Sequence, residues 1–327
     1  MRRRKFITLL GSVAAAWPLV VRAQRPTMPV IGLLCGGTWE SDAYRLAPFQ
    51  RGLQEAGYVE GRNVTFEYRW AEQKYDRLPA LAAELVRHEV SLIVAMGGIP
   101  SAVAAKPSTT TIPILIAIGG DPVQLGLVAS LNRPGGNVTG VSFLINSLGA
   151  KQLEALSETV PKTALIGFLG DPANPNAETD KRNVLAAAEL LGQRLLVLPA
   201  RNDDELNTAF ATLAERRAGA LVVGADFFLV SRRDKLVELA AQQNIPAIYP
   251  LREFAAAGGL MSYGTSLQEG YRLVGHYAAR ILNGEKPADL PVQQSTKVEL
   301  VLNLKTARTL GLTFPLSLVG RADEVIE

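Results

Sequence analysis

From Pro29 onward the chain alternates short, β-branched apolar runs with amphipathic stretches, and after about residue 160 the alternation begins again. Apolar runs separated by helix-length segments pack as βαβ units around a parallel sheet buried on both faces. In the first half the strand candidates are Val30–Cys35, Val64–Tyr68, Ser91–Met96, Ile112–Ile118 and Val138–Phe143. Between them Leu46, Phe49, Leu53 and Ala56, and then Leu78, Leu81, Ala82 and Leu85, recur at helical spacing. Gly57 serves as a C-terminal stop and Asp76 as a start. The second series runs Leu165–Leu169, Leu195–Leu198, Ala220–Val223, Ala247–Tyr249 and Leu260–Ser262, with helices carrying Val184, Ala188 and Leu191, then Leu206, Phe210 and Leu213. A tail follows: a helix with Tyr271, Val274, Ala278 and Ile281 on one face, a strand Glu299–Leu302 and a helix from Lys305. Periodicity alone thus gives two similar α/β halves and a leftover tail, and roughly 300 residues is too long for one small core.

The first 23 residues are set apart. Arg2-Arg3-Arg4-Lys5, an apolar run from Thr8 to Val21 and Val21-Arg22-Ala23 read as a leader cleaved after Ala23. Arg3-Arg4 before Lys5-Phe6-Ile7 resembles a twin-arginine export signal, with the ordinary Sec route as the alternative. A retained anchor helix fits less well, because Trp17-Pro18 interrupts the run. Loss of the leader removes five of the positive charges and takes the net charge from +3 to −2, so the basic balance of the precursor does not point to nucleic acid. The lone Cys35 cannot close an internal disulfide, and its setting in Val30–Cys35 is that of a strand and not of a lipidation site.

In open α/β sheets ligands bind beyond the C-terminal ends of the strands. There the first half carries Gly36-Gly37-Thr38, Gly97-Gly98 with Ser101 beyond, Gly119-Gly120-Asp121, and Phe143. Glycines let backbone approach a ligand and leave helix N–H groups aimed at an anion; equally, βα turns need glycine for their own geometry. The matching rim of the second half carries Asp171 to Asn176 with Asn174 among them, then Asp226, Phe227 and Phe228, then Tyr249 and Tyr263. Asp226 suits an ammonium group, and also suits the cap of a helix beginning near Ser231. The aromatic rings suit either a solute or the core. His88 and His276 fall within helices, away from the strand ends, and no HExxH, CxxC, GxSxG, P-loop or first-strand GxGxxG spacing occurs. Catalytic, metal and nucleotide readings therefore lack their usual support.

Longer phrases carry a family resemblance across nearly the whole mature chain. They include Phe49-Gln50-Arg51-Gly52-Leu53 with Gly57 to Asn63, Arg133 to Gly140, Pro172 to Pro175, Ser231 to Asp234, Ile245 to Tyr249, Gly258 to Gly264, and Asn303 to Ala307. In these the chain resembles the ABC-transporter substrate-binding proteins of the tryptophan/tyrosine-transport type, with the type I periplasmic binding protein fold. The resemblance implies an α/β fold class of two Rossmann-like three-layer α/β/α lobes joined by a multi-strand hinge. It divides the chain into 28–143 plus about 264–290, and 144–263 plus about 291–327. It further implies a non-enzymatic periplasmic protein without cofactor or metal. Such a protein captures an amino acid or related small organic acid, aromatic ones included, and delivers it as a monomer to an ABC permease in the inner membrane. A two-lobed glycosyltransferase or dehydrogenase, or a periplasmic sensor, is the alternative, while a repressor of related fold would need DNA-binding helices where this chain has its leader.

Overall fold

A computed structural model describes residues 28–143, 148–162, 164–172, 174, 177–295 and 297–327, without the Ser41 and Phe227 side chains; the leader expected over 1–23 lies outside them. In chain order the first series gives β1 (Val30–Cys35), α1 (Trp39–Glu55), β2 (Thr65–Trp70), α2 (Leu78–Arg87), β3 (Leu92–Met96), α3 (Ile99–Ala105), β4 (Ile114–Ile118) and β5 (Val138–Ser142). The second gives α4 (Gly149–Ser157), β6 (Leu165–Gly170), α5 (Ala177–Leu191), β7 (Arg194–Pro199), α6 (Asp203–Glu215), β8 (Ala220–Val223), α7 (Phe227–Ser231), α8 (Arg233–Gln242), β9 (Ala247–Tyr249), α9 (Arg252–Ala256) and β10 (Met261–Thr265). The tail adds α10 (Leu267–Leu282), β11 (Gln293–Gln294), β12 (Val298–Asn303), α11 (Leu304–Thr309), α12 (Leu316–Val319) and β13 (Glu324–Ile326).

The strands form two sheets, ordered β11-β5-β4-β3-β1-β2 and β13-β12-β10-β9-β8-β6-β7. Every pairing is parallel except that of β10 with β12. β3, β4 and β8 are buried along their whole length, as two-sided burial demands of their unbroken apolar runs. Helices cover both faces of each sheet. On the first, Leu78, Leu81 and Leu85 of α2 join one apolar cluster, while α1 and α10 close the other face. The second sheet is covered on one side by α4 and α5 through Leu153, Leu156 and Val184, and on the other by α6 and α8 through Phe210 and Leu236. Leu191, expected on the buried face of α5, is instead 39% exposed at its C-terminal end.

The leftover tail is explained by α10, which returns to the first lobe and lies against α1. The two helices approach so closely that a Cβ on Gly52 would sit 1.9 Å from the Arg272 carbonyl oxygen, and one on Gly275 2.2 Å from that of Phe49. Three chain crossings join the lobes, and they bond to one another. Thr265 Oγ1 donates to the Phe143 carbonyl, Ser295 N–H to that of Ser142, and Ser266 N–H to that of Lys297. The third crossing follows Gln294, because β11 still pairs with β5; the boundary expected near Pro291 falls a few residues early.

Candidate ligand-binding site

Where the C-terminal strand ends of the two sheets face each other lies a cavity walled by residues of both lobes. The first lobe contributes Gly97, Gly98 and Ile99 after β3, Gly119 after β4, Phe143 after β5, Arg45 from α1 and Tyr75 from the short turn before α2. Tyr271 and Leu267 of α10 close its floor, with Tyr271 packed on Phe143 at 5.3 Å between ring centroids. From the second lobe come Asp171 and Asn174 after β6, Ala225 and Asp226 after β8, Val230 of α7 and Leu251 after β9.

Local chemistry fixes the polar groups. Gly97 and Gly98 take φ of +80° and +110°, a region closed to most side chains, and so turn the chain sharply from β3 into α3 beside the cavity. Arg45 is 6% exposed and its guanidinium pairs with the buried Asp42. Asp226 caps α7, its Oδ1 accepting from Phe228 N–H at 2.6 Å and Leu229 N–H at 3.3 Å, while Asn174 Nδ2 donates to its Oδ2 at 3.0 Å. Cap and cavity wall are therefore one residue. Burial, and then the Asp171 charge, push the Asp226 carboxyl up to about 6 against the pull of those three hydrogen bonds. Across the cavity, burial and the charges of Asp226 and Asp171 hold the Tyr75 hydroxyl well above the usual phenol range. That electrostatic contact runs from one lobe to the other. Burial likewise raises Tyr271, and Arg45 opposes the shift.

Of the residues expected at the strand ends, Gly97, Gly98, Phe143, Asn174 and Asp226 line this cavity. Gly36 stands just behind the wall, where a Cβ would meet the Tyr75 ring at 3.3 Å. Ser101 is also behind it, fully buried, its Oγ without a hydrogen-bond partner among the described residues. Gly37 and Thr38 use their carbonyls to accept from Glu72 and Asp42 N–H groups. Gly120 accepts from Ser142 Oγ, leaving Gly119 as the wall residue, and Asp121 caps its own turn through Val123 and Gln124 N–H groups. Tyr249 and Tyr263 are not brought to the cavity. Tyr249 is 1% exposed and stacks on Phe254 at 4.8 Å, and Tyr263 faces a separate surface depression with Lys151 and Glu154. The Phe227 side chain is outside the described residues. Asp171, which opens the rim segment expected after the strand that is β6, also lines the cavity. Arg45, Tyr75 and Tyr271 were not reached by strand-end reasoning: they sit in helices or turns, and only their closeness to the glycine turns in space reveals them.

Two α/β lobes, a hinge of three hydrogen-bonded crossings and one cavity walled from both sides make this a two-lobed ligand-binding protein of the type I periplasmic binding protein architecture. Residues 41–326 match the family of ABC transporter substrate binding proteins, and the chain belongs to that family. It is 28% identical over 265 residues to a tyrosine-binding protein of Clostridioides difficile (strain R20291), covering 81% of this chain and 75% of that one. An ABC domain from Streptococcus pneumonia solved in complex with L-Trp is 26% identical and superposes with a TM-score of 0.81, covering 91% of this chain and 99% of that one. A ligand-free, open substrate binding protein with adhesive properties from Clostridium difficile, 25% identical with the same coverages, superposes with a TM-score of 0.65. Among the described residues no helix is long and apolar enough to cross a membrane.

Proposed function

We propose that this chain is the periplasmic solute-capturing component of an ABC-type importer, and that its solute is an amine of the amino-acid class with an apolar or aromatic body. It is exported by its leader, acts as a monomer, performs no chemistry on the solute and delivers it to an inner-membrane permease. The observation that carries the reading is the facing of two carboxylates, Asp171 and Asp226, against an apolar and aromatic wall of Tyr75, Phe143, Leu251 and Tyr271. Carboxylates paired with an ammonium recover in charge-assisted hydrogen bonds what burial costs them. The rings supply contact area at small entropic cost. A solute that is only an organic acid would meet these carboxylates as a like charge, so that part of the expected range is disfavoured.

The better superposition on the L-Trp complex than on the open relative, at nearly equal identity, fits a closed clamp. Closure needs only a solute with higher affinity for the closed state. A thermal-shift screen of the purified protein against amino acids, aromatic amines and small carboxylates tests this. Saturation at 100 times the dissociation constant adds about 2.7 kcal/mol, a rise of several degrees. The reading fails if only carboxylates without an amine raise the midpoint, or if no solute does.

A further inference from the structure

One polar group buried where the lobes meet has no partner. Tyr44 lies in α1, one residue before Arg45 of the cavity wall, and the Arg45 guanidinium sits over its ring, 4.8 Å from the centroid. The ring packs on an apolar cluster that runs from Leu46 and Phe49 of the first lobe to Leu251 and Phe254 of the second. Its hydroxyl oxygen is shut off from solvent and makes no hydrogen bond among the described residues. Glu253 of α9 and Arg233 of α8, whose charges reach that hydroxyl, both belong to the second lobe. Arg233 gives its guanidinium to Asp234 instead, at 2.8 and 3.2 Å.

Resting on the clamp reading above, we propose that Tyr44 is a brake on closure: its hydroxyl loses water as the lobes meet and gains no hydrogen bond in return. A hydroxyl buried without a partner forfeits its hydration, whereas a phenyl ring of the same shape leaves nothing unsatisfied. The cost falls on the closed state alone, because parted lobes leave the hydroxyl open to water. The empty clamp therefore stays open until a solute supplies the missing free energy, and closure reports a bound solute. Apparent affinity is reduced by the fraction of empty protein that is already closed. Tyr44 thus sets how tightly the solute is held without being one of the residues that line its cavity.

Tyr44→Phe removes the hydroxyl and keeps the ring under Arg45. Spin labels on Asp76→Cys, between β2 and α2, and Asp204→Cys, in the first turn of α6, read the distance between the lobes in the empty protein by dipolar spectroscopy. Both positions are exposed, and the fully buried Cys35 takes no label. The variant should raise the ratio of closed to open protein about tenfold, the factor that about 1.4 kcal/mol produces. Isothermal titration with L-tryptophan and L-tyrosine should show any binding by the parent tightened in the variant by up to the same factor. Proportions that the variant leaves unchanged, or moves toward the open distance, overturn the brake and leave the clamp standing. Only the distance of the present structure, in parent and variant alike, overturns the clamp and the brake with it.

Discussion

Replacing Asp226 with Asn separates what this residue does for the fold from what it does for the solute. Its carboxyl is raised from 3.8 to about 6 in the folded chain, chiefly by burial and then by Asp171. Between those values the folded state holds a proton that the unfolded chain has released, so stability falls as pH rises through that window. The two-unit displacement corresponds to about 3 kcal/mol of destabilisation at pH 7.5, shrinking to about 1 kcal/mol at pH 4.5. Asn keeps an oxygen for the Phe228 and Leu229 N–H groups and remains a good cap, while the Asn174 amide can turn to accept from the new NH2. Without solute the variant should therefore melt about 5 °C higher than the parent at pH 7.5, and under about 2 °C higher at pH 4.5, at ~0.6 kcal/mol per degree for a chain of this length. With an amine solute the order reverses, since the variant loses a partner for the ammonium. Calorimetric scans at both pH values read the effect. A variant that melts below the parent at pH 7.5 without solute, or whose gain does not depend on pH, refutes the reasoning.

Other consequences can be checked singly. Amine affinity should weaken about tenfold between pH 7 and pH 5, because Asp226 must give up its proton to meet the ammonium and does so only above about 6; titration at both pH values measures it, and a flat profile contradicts it. Gly275→Ala should lower stability by about 3 kcal/mol, since a Cβ there would sit 2.2 Å from the Phe49 carbonyl and must push α10 off α1; chemical denaturation reads the loss, and an unchanged midpoint counts against so close a crossing. Cys35 is fully buried in β1 and its thiol is raised far above the usual range by burial, with Arg45 opposing. It should resist a disulfide reagent in the native protein and react stoichiometrically in denaturant; rapid native modification would show that the sheet opens.

The sheets were legible because parallel strands buried on both faces must be written as unbroken apolar runs. Val30–Cys35, Ala220–Val223 and Ala247–Tyr249 coincide with β1, β8 and β9, and the ends of the other runs shift by up to three residues. β11 and β13 were not, being edge strands of two and three residues whose pairing depends on where the tail is carried. In the site, Gly97-Gly98 and Asp226 could be read from their places directly after strands. Tyr249 shared that signal and faces the core instead, because strand side chains alternate between faces and the last residue of so short a strand points where packing with Phe254 sends it. Arg45 and Tyr271 come from helices whose registry against the sheet is set by the α1–α10 crossing, which no local pattern encodes.

Small-angle X-ray scattering of the purified protein, with and without a saturating solute found by the screen, tests the closing clamp most directly. Hinge closure predicts a smaller radius of gyration in the bound protein, at one solute per chain, and a bound profile that matches the present structure. Stoichiometric binding with superimposable profiles would mean that the two lobes do not move about their three crossings, and the clamp would have to be abandoned.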